Sequence, residues 1–368
     1  MRLAVILPSL SGGGIEKMRL HLIHEWLEKG IEVDLVVGQL RGALCNKVPD
    51  NCNVFEIAKS SSILFPVGLY RYFKSRKPTH ILSATKDVNV ITLFIVSVTR
   101  IKVPVVVSFH NHLQSEIEIS GSLLRQTKDK IVVYLFRKLS KRADKVVAVS
   151  KSVAENILLF YPEIKNKLSV IYNPTINSAF EKNLSLPLLS CPVETGVPWI
   201  LFVGRFVYAK GVDILLHAFD NIREEVDCHL ILIGEGPLKK EVMAKRRHSG
   251  LEDKVHILEF QENILPWMRE SSVFVLPSRF EGLPNVLIEA MASGANIVAT
   301  DCSGGSSEIL ENGKYGTLVA PEDPIALANA VVAVLKKEVK VANDERKQGS
   351  ERFAASKAAE KYLSLLVE

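Results

Sequence analysis

The sequence predicts an α/β protein made of two Rossmann-like, doubly wound domains in tandem, facing a central cleft. Three observations predict it. At 368 residues the chain is long for one domain and natural for two of ordinary size. Short apolar runs alternate with segments of helical period, the pattern of a parallel sheet covered on both faces. The alternation breaks once, in a proline-rich stretch, and then starts afresh.

The first forty residues set the rhythm. "LAVIL" is apolar throughout, and "SLSGGG" is a glycine loop. "IEKMRLHLIHEWLEKG" has helical spacing, with Leu20, Ile23 and Leu27 on one face and Gly30 as its stop. "IEVDLVV" completes a βαβ unit. "HILSA", "VPVVVSF" and "KVVAVS" continue the series up to "LSVIYNP". Pro174, Pro187, Pro192 and Pro198 then mark an unperiodic stretch. Residues 1–174 are therefore expected to form an N-terminal domain, and 175–197 a linker. A second series, "WILFVG", "HLILIG", "KVHILE", "SVFVLP" and "ANIVAT", fills an expected domain over 198–345. Residues 346–368 are expected to be a C-terminal helix packing back on the N-terminal domain. The stretch "KKEVKVANDERKQGSER" reads as solvated surface.

Composition narrows the function classes. Hydrophobic residues at 47% and charged residues at 24% suit a soluble chain with large cores. A net charge of +5 is too mild for a nucleic-acid binder and fits local basic patches toward an anionic ligand or membrane. Cys45, Cys52, Cys191, Cys228 and Cys302 are scattered without a C-x-x-C pair, as expected of reduced thiols in a cytosolic compartment. "MRLAVILPSLSGGG" is a strand running into a glycine loop, unlike a cleavable signal. "NVITLFIVSVT" is too short to span a bilayer. The expectation is a cytoplasmic protein that at most rests on a membrane surface.

Several motifs fall where such folds bind ligands, at the carboxyl ends of strands. Gly12, Gly13 and Gly14 open a helix, and read either as a tight turn or as a loop whose N–H groups approach an anion. This is not G-x-G-x-x-G, and Asp34 matches the acid of a dinucleotide site only loosely. In "VGRFVYAKG", Arg205 and Lys210 are either a surface pair or a clamp for a diphosphate. "LIGEGPL" places Gly234 and Gly236 in a close-approach loop. In "EGLPNVLIEAMASG", Glu281 precedes a helix start near Pro284 and Asn285, with Asn285 as a possible cap. Glu289 sits about one turn into that helix among Val286, Leu287, Ile288, Ala290 and Met291. Two acids bracketing a helix start suit a ligand rich in hydroxyls with phosphates near the N–H groups. His110, ending "VVVSFH", reads as a cleft donor or proton carrier, or as a satisfied loop histidine. No D-x-D sequence or histidine cluster has metal spacing, so no metal is expected. Arg125, Lys128, Lys130, Arg137, Lys138, Lys141, Arg142 and Lys145 form a basic, partly amphipathic segment, either a solvated helix face or a surface for anionic lipid.

The order of these motifs resembles the retaining glycosyltransferases of GT-B fold, glycosyltransferase family 4. The series glycine loop, "ADKVVAVSKSV", "VIYNP", "VGRFVYAKG", "LIGEGPL" and "FEGLPNVLIEAMASG" carries the resemblance over nearly the whole chain, and the E-x7-E pattern is its most specific part. The family implies a nucleotide-sugar donor, bound mainly by the second domain, and an acceptor held mainly by the first, with no cofactor and no divalent metal. It implies that Arg205 and Lys210 bind the diphosphate, that Glu289 holds the ribose hydroxyls and that Glu281 lies close to the donor sugar. The backbone at Gly282, Leu283, Pro284 and Asn285 would contact sugar and phosphate. Gly13 and Gly14 match the family's first-domain loop, and His110 its histidine near the sugar C6 hydroxyl. A UDP-linked hexose or N-acetylhexosamine donor and a saccharide or lipid-linked acceptor are expected. Two other readings share the architecture: a nucleotide-sugar 2-epimerase and a non-catalytic nucleotide-binding protein.

Overall fold

The computed structural model describes residues 1–59, 61–114, 123–339 and 343–367. The chain divides into two compact units, Met1–Asn177 with Phe353–Glu368, and Ser178–Arg352.

The first unit holds seven parallel strands: β1 (Arg2–Ser9), β2 (Glu32–Gln39), β3 (Asn53–Glu56), β4 (His80–Ala84), β5 (Val105–Phe109), β6 (Lys145–Ala148) and β7 (Leu168–Val170). Their order is β3-β2-β1-β4-β5-β6-β7. Leu3, Ala4, Val5, Ile6 and Leu7 are all fully buried, because the central strand of such a sheet is covered on both faces and has no polar side. The helix Gly14–Glu28 packs Leu22, Ile23 and Trp26 into this core, and Gly30 follows it at φ 75°, which a glycine adopts without strain.

The second unit holds six parallel strands: β8 (Trp199–Val203), β9 (His229–Ile233), β10 (Val255–Leu258), β11 (Val273–Leu276), β12 (Ile297–Thr300) and β13 (Thr317–Val319). Their order is β10-β9-β8-β11-β12-β13. Both sheets are thus Rossmann-like, and in each the strand order reverses at one point, between β1 and β4 and between β8 and β11. The loops that leave the carboxyl ends of those four strands diverge to opposite sides and leave a crevice above the sheet. The strands β3 and β13 have no counterpart in the sequence reading. Both are short edge strands with half-exposed side chains, so they lack the long apolar run that marks the others.

The C-terminal helix Ala355–Val367 belongs to the first unit. Trp26 Nε1 donates to the Ala359 carbonyl at 3.1 Å, and its ring meets Tyr362 edge-on at 6.3 Å. The N–H groups of Thr175 and Ile176 donate to the Phe353 carbonyl. Trp26→Ala removes the largest buried side chain of this contact and is expected to destabilise the first unit by about 3–5 kcal/mol. Chemical denaturation measures it, and a loss below about 1 kcal/mol would mean that the helix is held elsewhere.

Two readings are corrected by packing. The stretch 178–197, expected as linker, lies in the second unit and includes the helix Phe180–Ser185. Phe180 and Leu184 are buried, and Asn263 Nδ2 donates to the Asn183 carbonyl at 2.8 Å. The charged tail is not simply solvated surface either. Its helix Asn343–Ser350 packs on the helix Asn285–Ala292, and Arg346 is buried while donating to the Gly294 carbonyl, Asn296 Oδ1 and Asn343 Oδ1. The Gly294 carbonyl just past the end of the helix Asn285–Ala292, with the amide oxygens of Asn296 and Asn343, draws in an arginine that composition alone would place in water. No helix among the described residues is long and apolar enough to cross a membrane.

Candidate active site

In the second unit the loops at the reversal point carry most of the residues singled out in sequence. Residues 204–211 leave β8 and turn through Tyr208–Lys210 before the helix Val212–Glu225. Arg205 is exposed on this loop and its side chain makes no hydrogen bond or ion pair among the described residues. Lys210 reaches across to the loop after β11, where Nζ lies 2.5 Å from Glu281 Oε1. Ser278 Oγ donates to the same oxygen at 2.6 Å. Glu281 Oε2 accepts nothing among the described residues. The arrangement leaves one carboxylate oxygen for a ligand hydroxyl and two of the three ammonium hydrogens for an anion.

The loop after β11 is held from three sides. Glu281 N–H donates to the Ser303 carbonyl at 2.9 Å. Gly304, at φ 141°, brings its bare Cα against the Glu281 carbonyl, where a Cβ would collide with backbone. Arg279 binds Asp213 with both terminal nitrogens, at 2.8 and 2.7 Å, and its guanidinium lies 4.0 Å from the Tyr208 ring centroid. It thereby ties the loop of Glu281 to the loop of Lys210. Burial, followed by the charge of Glu281, pushes the Cys302 thiol up to about 11, so it remains protonated beside the pair. Neither Arg279 nor the Ser303–Gly305 turn was singled out in sequence. The signal available was a short one, an arginine two residues before Glu281 and the glycine pair of "CSGGS" after β12.

The helix Asn285–Ala292 starts one residue earlier than a cap at Asn285 would require. Pro284, at ψ 102°, is the non-helical flanking residue and offers no side-chain cap, and Asn285 is already helical. A proline locked near φ −72° has no N–H to lose there, so the helix opens directly behind it. Gly282, Leu283 and Pro284 are buried, and Glu289 is 6% exposed within the helix. Gly234 follows β9 at φ 153° and sits against the Gly204 carbonyl, where any side chain would collide. Its glycine is accounted for by this close approach, which braces the loop of Arg205.

The first unit gathers a separate set. Gly13 is the residue before the helix Gly14–Glu28, in extended conformation and without a side-chain cap. A cavity of about 180 Å³ lies at the carboxyl ends of β4 and β5, lined by Ile15, Thr85, Asp87, Phe109, His110 and Asn111 among others. Thr85 stands at φ 74° just before the helix Lys86–Thr99, a strained conformation for a β-branched residue. His110 Nε2 lies 3.0 Å from Ser108 Oγ and 3.5 Å from Arg19 Nη2. Burial, and then the Arg19 charge, hold its pKa well below the ordinary histidine value. Arg19 and Ser108 were missed in sequence, since an arginine on an amphipathic helix reads as a solvated residue. Asp34, the loose match to a dinucleotide acid, is fully buried and bonded to Tyr72 Oη at 2.7 Å and to Arg76.

His80, His112, His229 and His256 are also lowered from 6.5, each chiefly by burial. Below that pH the unfolded chain binds more protons than the folded one, so stability falls as pH falls. A lower Tm at about pH 5.5 than at about pH 7.5 is expected, and a Tm that held or rose on acidification would contradict these assignments.

Two family models match the chain. Residues 12–175 match Glycosyltransferase Family 4, and residues 197–337 match Glycosyl transferases group 1. An uncharacterized glycosyltransferase of Methanocaldococcus jannaschii is 31% identical over 257 residues, 67% of each chain. The chain belongs to the group 1 glycosyltransferases. Another relative of this glycosyltransferase is the N-acetylgalactosamine-N,N'-diacetylbacillosaminyl-diphospho-undecaprenol 4-alpha-N-acetylgalactosaminyltransferase of Campylobacter jejuni, 27% identical over 236 residues and 62% of each chain. Among solved structures, Anabaena HepE in complex with UDP-glucose superposes with a TM-score of 0.78 at 19% identity, covering 100% of this chain and 99% of that one. At that identity the likeness establishes the GT-B fold.

Proposed function

We propose that this glycosyltransferase moves a hexose or N-acetylhexosamine from a UDP-linked donor, with retention and without a metal, to a saccharide or lipid-linked acceptor in surface polysaccharide or glycolipid assembly. The observation that carries the reading is the edge of the second sheet, where the Lys210–Glu281 pair, exposed Arg205 and the helix start behind Pro284 adjoin one reversal point. A departing nucleoside diphosphate gathers charge on its β-phosphate. Arg205 and Lys210 supply fixed cations for it, and the helix start supplies N–H groups. Glu281 Oε2 accepts from a sugar hydroxyl and Glu289 from the ribose. Glu281 is already engaged by Lys210 and Ser278, which favours front-face attack over a covalent intermediate on that carboxylate.

The donor class rests on the HepE complex with UDP-glucose, and the acceptor class on the undecaprenol-linked substrate named for the Campylobacter relative. A donor screen tests it: UDP-sugars are expected to raise Tm more than GDP- or ADP-sugars, and a preference for another nucleotide would overturn the assignment.

An exposed surface of apolar and basic side chains supports the reading of a lipid-linked acceptor and a place at the inner face of the cytoplasmic membrane. On the helix Leu123–Leu139, Ile131, Tyr134 and Leu135 are exposed on the face that also carries Lys138, with Lys130, Arg137, Lys141 and Arg142 exposed nearby. The side chain of Arg125 lies outside the described residues. Apolar side chains flanked by cations suit the interface of an anionic bilayer. Sedimentation with phosphatidylglycerol vesicles is expected to capture the protein at low salt and release it at high salt; salt-independent behaviour counts against the surface.

A further inference from the structure

Arg19 is 1% exposed, yet its side chain meets no carboxylate among the described residues. Nη2 donates to Ser108 Oγ and lies 3.5 Å from His110 Nε2, while Nε has no partner. The guanidinium carbon lies 5.1 Å from the centroid of the Tyr362 ring. A guanidinium cannot relieve its burial by losing a proton. The structure thus keeps a cation at the back of a histidine that lines the first-unit cavity.

A neutral imidazole carries its proton on Nδ1 or on Nε2. A proton on Nε2 would set N–H against the N–H groups of Arg19. A lone pair at Nε2 faces the same donors with the attractive sign. Ser108 Oγ lies 3.0 Å from both His110 Nε2 and the Ser83 carbonyl, has one hydrogen, and already accepts from Arg19. The Ser83 carbonyl, which can only accept, competes with Nε2 for that hydrogen, so Ser108 does not by itself choose the tautomer; Arg19, which can only donate, does. The other charged groups that line the cavity, Lys86 and Asp87 of the helix Lys86–Thr99, pair with Asp129 and with Lys128, each at 2.8 Å, the latter through Asp87 Oδ2.

We propose that Arg19 is a positioning residue that holds His110 neutral as the Nδ1–H tautomer, so that the ring offers the cavity a hydrogen-bond donor. This rests on the transferase reading for its use, since the donor would meet a substrate hydroxyl there. Nδ1 has no protein partner among the described residues, which leaves it for that bond.

Nitrogen-15 spectra of the histidine rings in the ligand-free full chain test it, with His110 assigned through its loss in His110→Gln. At neutral pH the native protein is expected to show Nδ1 protonated and Nε2 bare. Arg19→Met is expected to exchange those two signals, with the proton moving to Nε2, or to give imidazolium. Ser108→Ala leaves Arg19 in place and is expected to retain the Nδ1–H form. Native protein in the Nε2–H form overturns the proposal, as does Ser108→Ala in that form. Should Arg19→Met fold with the native tautomer unchanged, the proposal also fails; should it not fold, the other two spectra decide. The spectra involve no donor or acceptor, so a protein that transfers no sugar can still satisfy them, and an active transferase can still fail them.

Discussion

Arg205→Ala and Lys210→Ala are each expected to lower kcat by about two to three decades, with a smaller change in donor KM. Both cations serve the charge that appears only as the glycosidic bond breaks, so their loss raises the barrier more than it weakens the ground state. Arg205 has no protein partner among the described residues and is exposed on its loop, so its removal should leave Tm unchanged. Lys210 differs. Its removal leaves Glu281, whose side chain is 11% exposed, without its cation. A carboxylate so placed repels the diphosphate, and Lys210→Ala should therefore be the worse of the two. Steady-state kinetics with UDP-glucose and UDP-N-acetylglucosamine measure both. A near-native kcat in either variant removes that residue from the account.

Glu289→Ala is expected to weaken donor binding by about ten- to a hundredfold, the range for a lost charged hydrogen bond to ribose, while kcat at saturating donor falls less. The helix that carries Glu289 is packed on most of its faces, with Leu287, Ile288, Ala290 and Met291 buried. Substitution there can also disturb the fold, so the Kd is compared with Tm. Calorimetric titration with UDP separates the two effects, because UDP carries the ribose and lacks the sugar. An unchanged Kd for UDP would refute the ribose role, whatever the stability.

The reading from sequence and the structure part company in instructive places. The central strands were legible because a buried parallel strand must be apolar on both faces, and that pressure writes runs such as "LAVIL" and "WILFV". The edges β3 and β13 are pressed by no such requirement. The pair Lys210 and Glu281 is 71 residues apart, and only the family pattern joined them before the fold did. Arg279 was invisible for the opposite reason, since its role is to bond Asp213 and Glu322 across loops that local sequence does not bring together. Arg19 and Arg346 share one lesson. Both read as solvated cations by composition, and both are buried by tertiary packing that no period or spacing encodes. The glycines were half legible. Gly234 and Gly304 mark places of close approach, but whether a glycine makes room for a ligand or for the chain itself is decided by what lies opposite, and at both it is backbone.

The most direct test of sugar transfer follows the anomeric proton by NMR as the protein hydrolyses UDP-glucose or UDP-N-acetylglucosamine slowly in EDTA, without acceptor. UDP release with the α-anomer as first product, lost in Arg205→Ala, is the predicted result. No turnover of any nucleotide sugar, dependence on an added metal, or the β-anomer as first product would contradict it.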